Sequence, residues 1–581
     1  MIKVTNLAFS FPEKDLYEDV NFTIEDGQSC AFIGSSGSGK STLAQMMLDP
    51  EKLLFDGKIE FEDNCKLRFV SQFYDYDEND QTTVFDYLAS EFIALQAQID
   101  DICEQMGTAE DLEPLLEKYQ DLLDAFDAID GNNYDSNIAK KLGVANLSAR
   151  KDLAVSKLSG GEFKLVQVIK QMLANPTFLI MDEPDSFLDF ENLSSLKNLI
   201  NSHKGTMLTI THSRFLLNHC FNKILHLENK KVNVFDGTYT DYNFDLLQFK
   251  IDLQELAVVD DEEIARNEEL IEKLRFLATE YDNPANGKSL NARVKIQERL
   301  EQRRTNNPFI NVAKPAIDFS TDNALEDEII LSVEDFTFGF DEVLAQNVSF
   351  EIGSTDKVAL IGANGTGKTS LMREILGGKH EQIKFNENTT WAYLSQNQGE
   401  MFNEKNTIYD EFFDLGFETY DQIKGYLKDF GFDEEKMTQR IQVLSGGEKN
   451  ILGLAKMSCS NANFLILDEP NSHLDTYAQI ALEEAINAYS GAMLVISHDF
   501  YTIANCMDYV LIIEDKHIRK MRVKKFKRMI YAKHFSKDYL QFEEDKKELE
   551  VKIEKALSNK NFELAKVICE KLEELIAASK K

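Results

Sequence analysis

The sequence has no run of about 18 apolar residues, the length a helix needs to cross a bilayer. Its opening stretch interleaves Lys3, Glu13, Lys14, Asp15, Glu18 and Asp19 with apolar positions, which does not fit a secretory leader. Seven cysteines are scattered without a C-x-x-C pair, so a zinc module is excluded and reduced thiols of a cytoplasmic protein are expected. Bases are scarce: 63 Lys and Arg face 100 Asp and Glu, for a net charge of −37. That acidity favours solubility and excludes attraction to nucleic acid over the whole surface. A nucleic-acid partner would need local basic segments. Apolar residues make up 43% of the 581, an ordinary share for a globular protein, and the length calls for two or more cores.

What is present is a duplication. GSSGSGKST (Gly34–Thr42) returns as GANGTGKTS (Gly362–Ser370), VSQ ending at Gln72 returns as LSQ ending at Gln396, and LSGGE returns with Ser159 and Ser445 in register. LIMDEPDSFLD (Leu179–Asp189) returns as LILDEPNSHLD (Leu465–Asp475), and THS around His212 returns as SHD around His498. The later motifs share one offset of 286 residues, whereas Lys40 and Lys368 are 328 apart. Gln72 and Gln396 are 324 apart, so between Gln72 and Ser159 the first copy holds about 38 extra residues, placed near 91–130, where twelve acids meet a single Lys. Phe92, Leu95, Ile99, Leu115, Leu122 and Phe126 fall at helical spacing there, which predicts an acidic helical insertion.

The expected fold class is α/β: two cassettes, 1–244 and 327–535, joined by an antiparallel helical hairpin over 245–326, with a C-terminal helical hairpin over 536–581. In the linker, Leu270, Leu274, Leu277 and Tyr281 form one stripe, DNPANG (Asp282–Gly287) breaks the helix, and a second helix resumes at Lys288 until Asn306–Pro308. An arm of some 30 residues would reach about 45 Å. Its charges are split. Asp245–Asp282 carries twelve acids and four bases, while Asn283–Lys314 carries two acids and seven bases: Lys288, Arg293, Lys295, Arg299, Arg303, Arg304 and Lys314. A second basic run, Lys516–Lys537, holds ten Lys or Arg among aliphatic and aromatic residues.

Each G-x-x-G-x-G-K-[ST] follows an apolar strand (SCAFIG, KVALIG) and should open a helix. Gly34, Ser35, Ser36, Gly37, Ser38, Gly39, Lys40, Ser41 and Thr42, and Gly362, Ala363, Asn364, Gly365, Thr366, Gly367, Lys368, Thr369 and Ser370, would then cradle phosphates with backbone N–H groups and the helix N-terminus. Lys40 and Lys368 would reach the β- and γ-phosphates, and Ser41 and Thr369 would offer hydroxyls to Mg²⁺. The strands FLIM and FLIL end in Asp182–Glu183 and Asp468–Glu469. The first carboxylate of each pair suits the metal shell, and the second suits an attacking water. His212 and His498 fit γ-phosphate contacts.

With these motifs the chain resembles the ATP-binding cassette superfamily, and LSGGE is the feature that simple P-loop enzymes lack. The resemblance implies ATP and Mg²⁺ as cofactors and cassettes paired head to tail within one chain, as a monomer. Gly34–Thr42 would then face Ser445, Gly446 and Gly447, and Gly362–Ser370 would face Ser159, Gly160 and Gly161. It further implies that Gln72 and Gln396 sense the metal and the water, and that Phe11 and Phe340 stack on adenine.

Over its whole length the chain is similar to the ABC-F type, cytoplasmic twin-cassette translation factors. That likeness rests on the linker and on FDGTYTDY (Phe235–Tyr242) before it. It implies a 70S ribosome partner, with the linker near 23S rRNA, the P-site tRNA and the peptidyl transferase centre. Some family members protect ribosomes from antibiotics. Two alternatives are weighed beside it: the fused ATPase of a membrane transporter, and a nucleic-acid repair ATPase. The tail LEVKIEKALSNKNFELAKVICEKLEEL (Leu549–Leu575) is similar to the UVR hairpin of excision-repair subunits and suggests a protein partner. Phe187 stands where the second copy has His473, which predicts two competent but unequal ATP sites.

Overall fold

The computed structural model describes residues 1–11, 14–62, 65–72, 81–107, 111–186, 188–280, 284–303, 315–323, 325, 328–339, 343–413, 415–417, 419–534 and 539–579; the side chains at 14, 277–280, 284–288, 291, 302–303 and 398 are outside that description. Two compact units result: Met1–Tyr239 with Pro315–Met529, and Thr240–Lys314 with Ile530–Lys581.

The first unit contains both cassettes. In the first, strands Leu67–Val70, Phe178–Asp182, Thr206–Ile210, Ser29–Gly34, Lys223–Glu228 and Lys231–Asp236 lie side by side in that order. In the second the order repeats with Trp391–Leu394, Phe464–Asp468, Ala492–Ile496, Lys357–Gly362, Tyr509–Glu514 and His517–Arg522. Five strands of each sheet run parallel and the last is antiparallel. FLIMD and TMLTI are buried at every residue, because both faces of the parallel sheet are covered. The carboxyl ends of three adjacent strands therefore bring Asp182, Thr211 and Gly34 to one edge, where such sheets bind ligands.

A three-stranded antiparallel sheet flanks each core: Lys14–Ile24, Ile2–Phe11 and Asp56–Phe61 in the first cassette, and Val343–Gly353, Ile329–Gly339 and Ile383–Phe385 in the second. Leu7, Val20 and Ile24 of the first pack with Phe32, Leu43 and Met46 in one cluster. The acidic stretch forms helices Val84–Met106 and Glu113–Ala128. Phe92, Ile99 and Phe126 are buried, and Phe92 stacks on Tyr134 at 5.3 Å between centroids. Residues 315–323, which the sequence pattern leaves in the linker, belong to the cassette unit. Ala316 N–H donates to the Asp429 carbonyl at 2.8 Å, and Ile317 and Phe319 are buried.

In the second unit, helix Tyr239–Glu280 precedes helix Pro284–Arg303. The second helix begins within DNPANG and not after it. Proline's fixed φ and missing N–H suit a first helical turn, so Pro284 opens the helix that the sequence pattern has it interrupt. The end of that helix expected at Asn306–Pro308 lies outside the described residues. Asn267 Nδ2 donates to Gln297 Oε1 at 2.8 Å and to the Arg293 carbonyl at 3.2 Å, pairing the helices. The tail folds as helices Tyr539–Ser558 and Phe562–Ser579. Its apolar face (Ile553, Ala556, Ala565, Cys569, Leu572, Ile576) packs on Phe244 and Ile251 of the long linker helix. The apolar face of the tail hairpin is thus covered within this chain.

Between the cassettes, Arg214 of the first sits with both Glu483 and Asp499 of the second, the latter at 2.8 Å. Its side chain is 12% exposed. Burial works against the guanidinium charge, but the Asp499 and Glu483 charges outweigh it and raise its pKa. Asn218 Nδ2 donates to Tyr501 Oη at 3.1 Å beside it, and Phe190 meets Phe500 at 5.7 Å. Removing one partner of a buried ion cluster strands the others, at a cost of about 3–5 kcal/mol. Arg214→Ala should lower the unfolding free energy of the cassettes, read from chemical denaturation, by that order. Arg214→Ala combined with Glu483→Ala should lose clearly less than the sum of the two single changes.

Candidate active site

The two phosphate loops are built alike. Gly39 (φ 108°) and Gly367 (φ 89°) precede helices Lys40–Leu48 and Lys368–Gly377. A Cβ on Gly39 would come within 2.8 Å of Tyr17 Oη, and one on Gly367 within 2.9 Å of Leu344 Cδ1. Only glycine meets both demands, left-handed φ and close approach. Lys40 Nζ donates to the Gly34 and Ser35 carbonyls at 2.9 and 2.8 Å. Lys368 Nζ does the same to Gly362 and Ala363 at 2.9 and 3.0 Å. An ammonium has three donors, so each lysine keeps one for an anion in the loop. Burial, opposed by Glu183, Asp475 and Asp182, brings Lys40 down to about 8, and burial also lowers Lys368.

At the strand ends, Thr369 Oγ1 donates to Asp468 Oδ2 at 3.0 Å, and Ser41 holds the equivalent place toward Asp182, whose pKa it lowers. Asp182 Oδ1 and Asp468 Oδ1 are buried without a hydrogen-bond partner among the described residues. A hydroxyl, a carboxylate and an orphaned carboxylate oxygen fit an octahedral cation that takes its remaining ligands from water and phosphate. Among the described residues no group of three or more His, Cys, Asp or Glu forms a closed metal cage. Burial raises both aspartates, eased by their hydroxyl partners.

Glu183 and Glu469 adopt left-handed φ of 43° and 51° at the turns that follow their strands. Such strain in a non-glycine residue is found where a side chain must be aimed. Gln72 Nε2 donates to Glu183 Oε2 at 2.6 Å. Burial would raise Glu183, but hydrogen bonding from His473 and the Lys40 charge outweigh it and hold it at about 2. Glu469 is raised by burial and by Asp468. His212 and His498 are each pushed down to about 3 by burial and a nearby lysine, so both rings are neutral. Glu400 engages Ser395 Oγ at 2.8 Å beside Gln396, whose side chain lines the cavities of both sites.

The first site is completed from the other cassette. Its cavity of about 840 Å³ is lined by Phe11, Ser36, Lys40, Ser41, Gln72 and Glu183 on one side and by Ser445, Gly446 and Gly447 on the other. A Cβ on Gly447 would overlap Ser36 Oγ. Ser36 N–H donates to Asp475 Oδ2 at 3.3 Å. The second cavity, about 660 Å³, is lined by Asn364, Lys368, Thr369, Gln396, Glu469 and His498 together with Ser186, Leu188 and Arg214. Asn364 N–H donates to Asp189 Oδ2 at 3.3 Å, mirroring the first site.

Among the described residues, Ser159, Gly160 and Gly161 do not line that cavity. Gly161 is instead closed in by Asn192 and Leu188 of its own cassette, and the loop ending at Asp189 supplies the crossing contact. Phe340 and Phe187 lie outside the described residues. Sequence reasoning missed Leu16 and Leu344, which press on the loop glycines, and Tyr17, whose hydroxyl donates to the Gly39 carbonyl. It also missed the contact of His473 with Glu183. The signal for the leucines was there, since each stands 24 residues before its loop lysine.

The ABC transporter family profile matches residues 17–186 and 345–472, more than half of the chain. The chain belongs to that family. It is thus an ATPase of the ATP-binding cassette type, with two cassettes in one polypeptide. It is 29% identical to the uncharacterized ABC transporter ATP-binding protein YfmM of Bacillus subtilis (strain 168), over 86% of this chain and 96% of that protein. It is 27% identical to ABC transporter F family member 5 of Arabidopsis thaliana, over 88% of this chain and 75% of that one. It is also 27% identical to ATP-binding protein Uup of Escherichia coli (strain K12), over 88% and 80%. These matches bear out the resemblance to the ABC-F type. The archaeal ribosome recycling factor aABCE1, solved in complex with ribosomal stalk protein aP1, shares the fold: TM-score 0.53 at 18% identity, covering 91% of this chain and 92% of that one. Among the described residues no helix is long and apolar enough to cross a membrane.

If Ser36 and Gly447 must touch for turnover, Gly447→Val should reduce ATPase activity at least tenfold. Binding of a fluorescent ATP analogue should persist, whereas Lys40→Ala should halve its stoichiometry.

Proposed function

We propose that the protein is a cytoplasmic ribosome-binding ATPase that closes its cassettes on two Mg–ATP and acts on translation through its linker. Bound ATP supplies a phosphoanhydride whose cleavage is the energy source, and Mg²⁺ supplies charge neutralisation on the phosphates. Ser41, Asp182, Thr369 and Asp468 would hold the metal, with Gln72 and Gln396 beside it. The loop N–H groups, Lys40 and Lys368 bind phosphate, and Phe11 offers an aromatic face at the rim of the first cavity. Glu183 and Glu469 orient water, and neutral His212 and His498 stand at the phosphate end. Ser445, Gly446 and Gly447 close the first site, so catalysis there needs both cassettes together.

The observation that carries the ribosomal part is local charge on an acidic chain. Arg293, Lys295 and Arg299 are exposed on the second linker helix, in a segment with seven bases against two acids within a net charge of −37. Lys516, Arg519, Arg522, Lys524, Lys525 and Arg528 form a second exposed basic strip on the second cassette. Basic side chains at RNA displace counterions, so such binding weakens steeply with salt. The ABC-F relatives supply the family context. Protection against antibiotics is the finer form of this reading, and growth with peptidyl-transferase inhibitors, with and without the gene, would test it.

Glu183→Gln with Glu469→Gln should trap the closed state and raise ATP-dependent co-sedimentation with 70S ribosomes. No rise would sink the reading, and retention with membranes or DNA would point to a transporter or a repair ATPase. Arg293→Gln, Lys295→Gln and Arg299→Gln together should weaken ribosome association at least tenfold at physiological salt and leave nucleotide binding within twofold. Equal loss of both would make the linker merely structural.

A further inference from the structure

Glu183 and Glu469 hold equivalent positions, yet they are braced differently. Glu469 is met from its own cassette: His498 N–H donates to Oε2 at 3.4 Å, and His498 Nε2 lies 3.5 Å from Oε1. Glu183 receives Gln72 Nε2 at 2.6 Å and Ser186 Oγ at 3.2 Å from its own cassette. From the opposite cassette His473 Nδ1 comes within 3.5 Å. All three meet the same oxygen, Oε2. Oε1 is then the oxygen left to take a proton from water.

The placement of His473 is built and not incidental. Its φ is 60°, left-handed in a non-glycine residue. Asn450, on the helix that follows the second LSGGE, donates through Nδ2 to the Pro470 and Ser472 carbonyls at 2.9 and 2.7 Å, fixing the loop just before it. The ring lies against Gly446, where a Cβ would come within 3.1 Å of Cδ2. Just after it, Asp475 is held by the Ala478 N–H at 2.9 Å and the Ser36 N–H at 3.3 Å. In the first cassette the residue matching Asn450 is Lys164, and it does something else: its Nζ donates to the Ser71 and Gln72 carbonyls, the latter at 3.0 Å. The two signature helices thus grip different loops. Phe187, the residue matching His473, has no side-chain N–H to donate.

We propose that His473 is a positioning residue supplied in trans, which fixes the Glu183 carboxylate only while the cassettes are closed. Turnover at the first site is thereby tied to closure by a contact that Phe187 lacks the chemistry to reproduce at the second. This rests on the reading of Glu183 as the carboxylate that orients water. A donor at Oε2 restricts the carboxylate rotamer and presents Oε1, and withdrawal of the second cassette removes that donor. Positioning of this kind acts on the reacting geometry and leaves nucleotide affinity largely alone.

The test uses the full chain carrying Glu469→Gln, so that steady-state turnover reports on the first site. His473→Phe should lower kcat at least tenfold with KM for ATP shifted less than threefold. His473→Asn, which keeps an N–H near the place of Nδ1, should retain at least a third of the parent kcat. The proposal is overturned if His473→Phe stays within twofold of the parent, if Phe and Asn fall alike, or if the loss appears in KM. Glu183→Gln in the same background separates the two layers. If it leaves turnover intact, the reading of Glu183 fails and the proposal with it; if it silences the site while His473→Phe does not, only the trans positioning is wrong.

Discussion

Two aspartates fix how the cassettes meet. Asp475 accepts from Ala478 N–H at 2.9 Å through Oδ1 and from Ser36 N–H at 3.3 Å through Oδ2. Asp189 accepts from Asn192 N–H at 2.9 Å and from Asn364 N–H at 3.3 Å in the same way. Each carboxylate caps its own helix, a contact worth about 1 kcal/mol, and spends its second oxygen on the opposite phosphate loop. The helix N-terminus stabilises that negative charge where it is needed. Because the cap fixes the aspartate relative to its helix, the helix end sets where the opposite loop must lie. The nearness of Gly447 to Ser36 and of His473 to Glu183 follows from that geometry.

On this shared frame the two copies bring different chemistry to the interface. Arg214 binds Glu483 and Asp499 with both acids inside the contact. One duplication offset later stands Phe500, which meets Phe190 ring to ring at 5.7 Å. A guanidinium between two carboxylates is directional and costly to break, whereas an aromatic pair slides at little cost. The signature helices diverge too, Lys164 holding its own Gln loop and Asn450 holding the loop before His473. Unequal bracing of one shared scaffold is how a duplicated domain can give its two sites different duties.

Much of this was legible in the sequence, for a physical reason. Phosphate loops, strand-end carboxylates and the signature turn are local motifs whose spacing dictates their backbone, so Lys40, Asp182, Glu183 and their counterparts can be named from the sequence, while the strand order brings them together. Uniformly apolar strands such as FLIMD announce a parallel sheet. What the sequence hid is what depends on two distant segments meeting: Arg214 with Glu483, His473 with Glu183, and Asn267 with Gln297. Pro284 is ambiguous in the sequence because proline both breaks helices and opens them, and only the chain's path decides which. The cover of the tail's apolar stripe is hidden in the same way. Phe244 and Ile251 lie some 300 residues away in sequence.

That cover bears on how the linker unit holds its shape. The helix Tyr239–Glu280 is 42 residues long, and its apolar cluster lies toward its base, where Phe244 and Ile251 meet the tail helices. Lys250 with Glu554 and Lys566 with Glu255 flank this cluster. These pairs are exposed and contribute about 1 kcal/mol or less each. Burying several aliphatic side chains contributes about 1.5–3 kcal/mol apiece, so apolar packing is what anchors the base. Farther out, the buried pair Asn267–Gln297 joins the two helices. A buried amide pair contributes little to stability, but a register slip would leave its donors and acceptors unpaired in the interior, which is expensive. The unit is therefore held by hydrophobic burial at its base and kept in register by polar specificity along its length. A long arm built this way can carry exposed Arg293, Lys295 and Arg299 at defined positions without a large core of its own.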